Sequence, residues 1–132
     1  MYTGFEMALV PKEALSVSQL ILEVKSNLEN RYRDIQVVGE ISSFRAWRSG
    51  HWYFDLKDEQ SVLPAVMFKY HCPKIKFEVK DGMQVLVSGR VSMYAPQCKI
   101  QIMVDNMEPI GAGALALAFE QLKKKLEKEG FF

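Results

Sequence analysis

Long apolar runs are missing from this 132-residue sequence: no window approaches the roughly 18 apolar residues that a membrane-spanning helix needs. The opening stretch MYTGFEMALVPKE also lacks the basic segment and unbroken apolar core of a secretory signal. Cysteine is scarce, and Cys72 and Cys98 lie far apart, so free thiols in a reducing compartment are expected rather than a disulfide framework. Together these absences predict a cytoplasmic protein without membrane contact. Strong charge of one sign is missing too, since 17 basic residues face 16 acidic ones. That excludes a histone-like polycation and an acidic disordered tail.

What is present, 48% apolar residues in a chain of this length, suffices for one compact domain with a single core. The charge is unevenly spread. Between Arg45 and Lys99, nine Lys and Arg stand against five Asp and Glu, and the remainder has eight against eleven, so the middle of the chain is its electropositive part.

Ser16 to Leu28 reads as a helix. Ser16 followed by Gln19 has the capping-box spacing that satisfies free backbone donors at a helix start. Val17, Leu20, Ile21, Val24 and Leu28 recur on one face, which is expected to lie on something apolar. From Asp34 to Glu108 the period changes to two, and five strands separate: Ile35 to Phe44, His51 to Lys57, Val62 to Phe68, Met83 to Tyr94 and Lys99 to Met107. Turn residues break them, and the longest link, Lys69 to Lys80, contains Pro73 and has room for a short helical turn. Five short strands with the longest connection after the third match the Greek-key barrel called the OB-fold; a sandwich would use about seven. Helical spacing returns from Ala114 to Glu129, with Leu115, Phe119, Leu122 and Leu126 on a narrow stripe suited to a connector helix or coiled coil. The fold expected is therefore mainly β, a five-stranded barrel with an N-terminal helix and a C-terminal connector helix. The ending Gly130-Phe131-Phe132, with two bulky aromatics and nothing after them, reads as part of a longer protein.

One stretch, FRAWRSGHWYFDLKDE from Phe44 to Glu59, holds five aromatics, including both tryptophans, interrupted by residues that no core would choose. Alternation sends Trp52, Phe54 and Leu56 into the barrel and His51, Tyr53, Asp55 and Lys57 outward. In the third strand Leu63, Ala65 and Met67 point inward by the same rule, with Pro64, Val66 and Phe68 outward. OB-folds bind oligonucleotides on the outer face of strands two and three and on the first-to-second and fourth-to-fifth loops. Single strands require flat rings for their bases and cations for their phosphates. Trp47, Tyr53 and Phe68 are the candidate rings. Arg45, Arg48, Lys57, Lys69 and Lys99 are the candidate cations, with His51 beside them. Against this stand plain readings: Trp52 and Phe54 as packing, Phe68 as covered by the following link or a terminal helix, and scattered charges as a solvated face.

Three weaker patterns are set aside. GAGALA from Gly111 resembles a dinucleotide-binding turn, but Pro109 precedes it and no strand follows to complete the unit. His51, His71, Cys72 and Cys98 lack paired-ligand spacing for zinc. Asp55, Asp58 and Glu59 sit at a strand end and turn, where acids are ordinary. No metal site, cofactor or catalytic constellation is expected in this chain.

Five motifs carry a resemblance: LSVSQL (Leu15 to Leu20), GEISSFR with SGHWYFDLKDE (Gly39 to Glu59), AVMFK (Ala65 to Lys69), DGMQVLVSGRVSMYAP (Asp81 to Pro96) and MEPIGAGALALAFEQLKKKLEKEGFF (Met107 to Phe132). In this order they resemble the N-terminal region of the exodeoxyribonuclease VII large subunit. The resemblance implies a cytoplasmic bacterial nuclease that degrades single-stranded DNA from either end to oligonucleotides, built from one kind of large subunit with several copies of a small subunit. It further implies that the OB-fold holds the DNA, that catalysis lies downstream, and that the small subunits bind parts absent from this chain. No catalytic residue is carried over, and the resemblance leaves the metal requirement of the full enzyme open. Phe44, Arg45, Gly50, His51, Phe68 and Lys69 match the family pattern as DNA-side candidates. The implied layout is an extension over 1–14, the barrel with its helix over 15–109, and the start of a connector over 110–132. Where the family pattern often has a basic residue in the third strand, this chain departs from it with Pro64, which cannot donate to a sheet ladder and so is expected to weaken either that strand or its DNA contact. Residues 1–14 lie outside the resemblance. Two other classes of function use the same residues. One is an RNA-binding OB module of the anticodon-binding type. The other is a protein-interaction or oligomerisation module anchored by Trp47, Phe68 and the Leu115 to Leu126 stripe, for which a homo-oligomer is expected.

Overall fold

The computed structural model of the chain describes residues 10–111 together with Gly130. Five strands, β1 (Ile35–Ala46), β2 (Trp52–Lys57), β3 (Val62–Met67), β4 (Gln84–Tyr94) and β5 (Lys99–Pro109), close into a barrel in the order β1-β2-β3-β5-β4. Every neighbouring pair is antiparallel except β3 with β5. This is the expected Greek-key barrel, and the strand ends fall within a few residues of those read from alternation. The helix expected over 114–129 lies outside the described residues, as does most of the 1–14 extension.

Closure rests on local irregularity. β1 is long enough to serve two neighbours: Ile35 to Glu40 pair with β4, and Glu40 to Ala46 pair with β2. Between Ser42 and Arg45 the register shifts, and Ser43 takes a left-handed φ of 54°, a bulge that bends the strand around the barrel. A second shift falls between Ser88 and Gly89 in β4. A Cβ on Gly89 would stand 2.0 Å from the carbonyl oxygen of Met103, so only glycine lets β4 and β5 approach this closely. Pro64 is tolerated because β3 meets β5 only from Ala65 onward.

The barrel fills with residues from alternate positions, among them Ile41, Phe54, Met67, Val85, Val87 and Ile102. Phe54, Leu56, Ala65 and Met67 are buried as alternation predicts, and Trp52 and Leu63 are half-buried. The bulge also turns Phe44 toward the core, where its ring lies 5.5 Å from Trp52 and 6.2 Å from Phe54. Val66 keeps the outward direction that alternation predicts. It faces outward yet is only 4% exposed, because Tyr53 and Met103 flank it on the two neighbouring strands.

Helix α1 (Val17–Arg31) begins with the predicted capping box: Gln19 N–H donates to Ser16 Oγ at 3.1 Å, and Ser16 N–H donates to Gln19 Oε1 at 2.8 Å. It runs three residues past Leu28 and rests on β4 and the turn Ala95–Gln97. The apolar docking expected of it is only partial. Ile21 and Leu28 are half-buried, while Val17, Leu20 and Val24 are exposed. Polar ties hold its end instead: Ser92 Oγ donates to Glu29 Oε2 at 3.1 Å, and Val91 N–H donates to Tyr32 O at 2.8 Å. Among the described residues no helix is long and apolar enough to cross a membrane.

Candidate nucleic-acid interface

The β1–β2 connection is a tight turn. Gly50 N–H donates to Trp47 O at 2.8 Å, and Trp47 N–H donates to His51 O at 3.0 Å. Gly50 adopts a φ of 91°, in the region that favours glycine. A Cβ added there would sit 3.0 Å from Lys69 Cβ, so the absent side chain lets the turn lie against the residues that follow β3. The turn leaves Arg48 exposed and Trp47 59% exposed. The Trp47 ring meets Tyr53 edge to face at 5.7 Å, and Arg45 stands opposite Tyr53 in the β1–β2 register.

The end of β3 is tied to this turn. His51 Nδ1 accepts a hydrogen bond from Lys69 N–H at 3.0 Å, which puts the proton of the neutral ring on Nε2. The same ring packs edge to face on Phe68 at 5.1 Å, leaving Phe68 half-buried. Beneath them Cys72 Sγ lies 3.5 Å from the carbonyl oxygens of Gly50, Met67 and Phe68. Burial pushes the Cys72 thiol pKa up, which keeps it a protonated packing group rather than a reactive thiolate. Pro73 belongs to a 3-10 turn, Cys72–Lys74, as the link's composition predicts. Turn and link thus form one preorganised ledge carrying Arg45, Trp47, Arg48, His51, Tyr53, Phe68 and Lys69. Among the described residues, none of the three cations in that set is paired with a carboxylate.

Lys57 and Lys99 lie elsewhere. Lys57 occupies the opposite end of β2, where its Nζ pairs with Glu40 Oε2 at 3.2 Å, beside Asp58 and Glu59. Lys99 opens β5 opposite Tyr94. Because β3 and β5 run parallel, with Ala65 beside Ile102, Lys99 lies toward the Val62 end of β3, away from Lys69. The sequence reading also passed over Tyr70, which is 77% exposed and has Lys69 Nζ 5.5 Å from its ring centroid. Its signal is an aromatic set between Lys69 and His71 in the link after the third strand. Tyr94, 55% exposed on the β4–β5 hairpin, stands opposite Lys99 and so lies away from the ledge as well. Among the described residues no three His, Cys, Asp or Glu side chains gather as metal ligands.

A family model described as an OB-fold nucleic acid binding domain matches residues 15–108. The chain is 48% identical over 118 residues to an exodeoxyribonuclease 7 large subunit from Campylobacter fetus subsp. fetus, a match covering 89% of this chain and 30% of that protein. It is 45% identical over 123 residues to the protein of the same name from Syntrophotalea carbinolica, covering 93% and 31%. The chain therefore spans less than a third of the length of these curated relatives. Among solved structures, a chain of the S. pombe Stn1-ten1 complex superposes with a TM-score of 0.52 at 17% identity, over 75% of this chain and 74% of that one. This last likeness is one of fold.

Proposed function

The chain belongs to the OB-fold nucleic acid binding domain family, and from that premise we propose that it holds single-stranded DNA for an exodeoxyribonuclease VII large subunit. In this reading the whole enzyme hydrolyses phosphodiester bonds of single-stranded DNA in the cytoplasm. Its catalytic groups and small-subunit contacts lie in parts outside this chain. The observation that carries the reading is the ledge itself: an exposed Trp47 ring beside the half-buried rings of Tyr53 and Phe68, with three cations that pair with no carboxylate among the described residues, on one end of the β2–β3 face. The name shared by the curated relatives supplies the nuclease.

The physics is that of a stacking platform. Bases lie on Trp47, Tyr53 and the free edge of Phe68, each stacked base contributing about 1–3 kcal/mol whatever its identity. Phosphates run past Arg45, Arg48 and Lys69, and binding releases their condensed counterions. His51 contributes by fixing Lys69 and Phe68, and Gly50 by letting turn and link touch. Because these hydrogen bonds exist before ligand arrives, little ordering is left to oppose binding.

Fluorescence titration of the chain with unlabelled oligo-dT reports on Trp47 and Trp52. Saturable quenching that weakens as salt rises is expected. An oligo-U competitor of equal length should displace the DNA poorly. Stronger competition by RNA would assign the ledge to RNA instead. An unchanged signal at low salt, together with a stable oligomer in light scattering, would assign it to a protein partner.

A further inference from the structure

We propose that Tyr70 is an additional stacking station for one base, so that a bound single strand runs from the β1–β2 turn across Phe68 and onto the link after β3. The inference rests on the DNA-holding role above and extends it to a residue outside the set identified from sequence.

Three observations support it. Tyr70 is 77% exposed, more than any other large apolar or aromatic side chain described, so packing does not account for it. It occupies the tip of a turn closed by His71 N–H donating to Phe68 O at 2.9 Å. Small or polar residues usually fill such positions, and here the tip carries a broad ring. The turn is also held from both sides. Lys69 N–H is bound to His51. On the other flank His71 Nε2 lies 3.6 Å from Asp105 Oδ1, and Lys74 Nζ donates to His71 Nδ1 at 3.0 Å. The backbone that carries the ring is therefore held at a fixed place relative to Phe68. Lys69 Nζ lies over one face of the ring, 5.5 Å from its centroid, and puts an ammonium where the phosphate of a nucleotide stacked on the opposite face would pass. Ring and cation are the two components that a single strand requires, repeated one step beyond β3.

The test is the affinity of the 132-residue chain for end-labelled oligo-dT of about 4 to 20 nucleotides, a span bracketing the site sizes of single OB-folds. Native protein, Tyr70→Ala, Tyr70→Phe and Trp47→Ala are compared at two salt concentrations. Tyr70→Ala should weaken the longer oligomers roughly five- to a hundredfold and leave the shortest that bind unchanged. Tyr70→Phe should restore native affinity. The salt dependence should be the same in all of these, because the ring neutralises no phosphate. Equal affinity of Tyr70→Ala and native protein at every length, with Trp47→Ala still impaired, overturns this inference alone. An equal loss at every length with a lowered melting temperature makes Tyr70 a structural residue and also overturns it. Absence of binding by native protein at low salt overturns the DNA-holding role and this inference with it.

Discussion

The two ends of β2 share one strand, one core and one outward face, yet present opposite chemistry. At the Trp52 end lie the rings of Trp47, Tyr53 and Phe68 with Arg45, Arg48 and Lys69, and hydrogen bonds cross from turn to link. At the Lys57 end no aromatic among the described residues accompanies the lysine. Lys57 is paired with Glu40, and the next two residues are Asp58 and Glu59. A cation already paired with a carboxylate has little to offer a phosphate, and the extra acids repel one. In the proposed reading the first end serves the ligand, and the second closes a hairpin.

The largest expected effect sharpens this contrast. Trp47→Ala should weaken oligo-dT binding by about 1–3 kcal/mol, roughly five- to a hundredfold in Kd, with a smaller loss of stability, about 0.5–1.5 kcal/mol, from the edge-to-face contact with Tyr53 of a ring that is 59% exposed. Lys57→Ala should change affinity less than twofold. Because an exposed pair of this kind contributes about 0–1 kcal/mol, it should also change stability little. Fluorescence or anisotropy titration of both variants decides the matter. Equal losses would extend the binding face along the whole of β2 and erase the distinction.

A smaller effect breaks the first end from inside. Gly50→Ala should lower stability by about 1–2 kcal/mol, the cost of a left-handed residue with a Cβ, read as a lower urea midpoint at unchanged slope. The new methyl also presses on Lys69 and so disturbs the His51 bond, and affinity for oligo-dT should fall with it. Full affinity in a destabilised variant would mean that the turn and the link act independently.

The difference between the ends was only partly legible in the sequence. Strand positions were readable because alternation is a property of the extended backbone, and the capping box because its partners lie three residues apart. The outward direction of Val66 was legible but its burial was not, because that depends on Tyr53 and Met103, which are brought alongside by two separate strand pairings. Phe44 turns inward because of a bulge at Ser43 that no local motif announces. The tie between His51 and Lys69 joins residues eighteen positions apart, and its acceptor is a ring nitrogen whose role only the fold defines. Lys57 and Lys69 look alike as lysines near strand ends. The neighbours that separate them, Glu40 for one and His51 for the other, come from elsewhere in the chain.

The smallest effect belongs to the second end, where charge serves the turn. Asp58 Oδ1 accepts from Gln60 N–H at 2.9 Å and from Ser61 N–H at 2.8 Å, and these two bonds hold its pKa below the ordinary aspartate value. Both favour the carboxylate over the acid, so the folded state binds its proton less readily than the unfolded chain. The resulting stability is fully present above the unfolded value of about 4 and is lost as pH falls through the lower folded one. Denaturation midpoints of native protein and Asp58→Asn should therefore differ by a constant amount from pH 6 to 8 and converge below about pH 4. Oligo-dT affinity measured at pH 7 should be the same for both proteins. A variant that loses affinity there would connect the acidic turn to the ledge through the length of β2, and the two ends would have to be treated as one site.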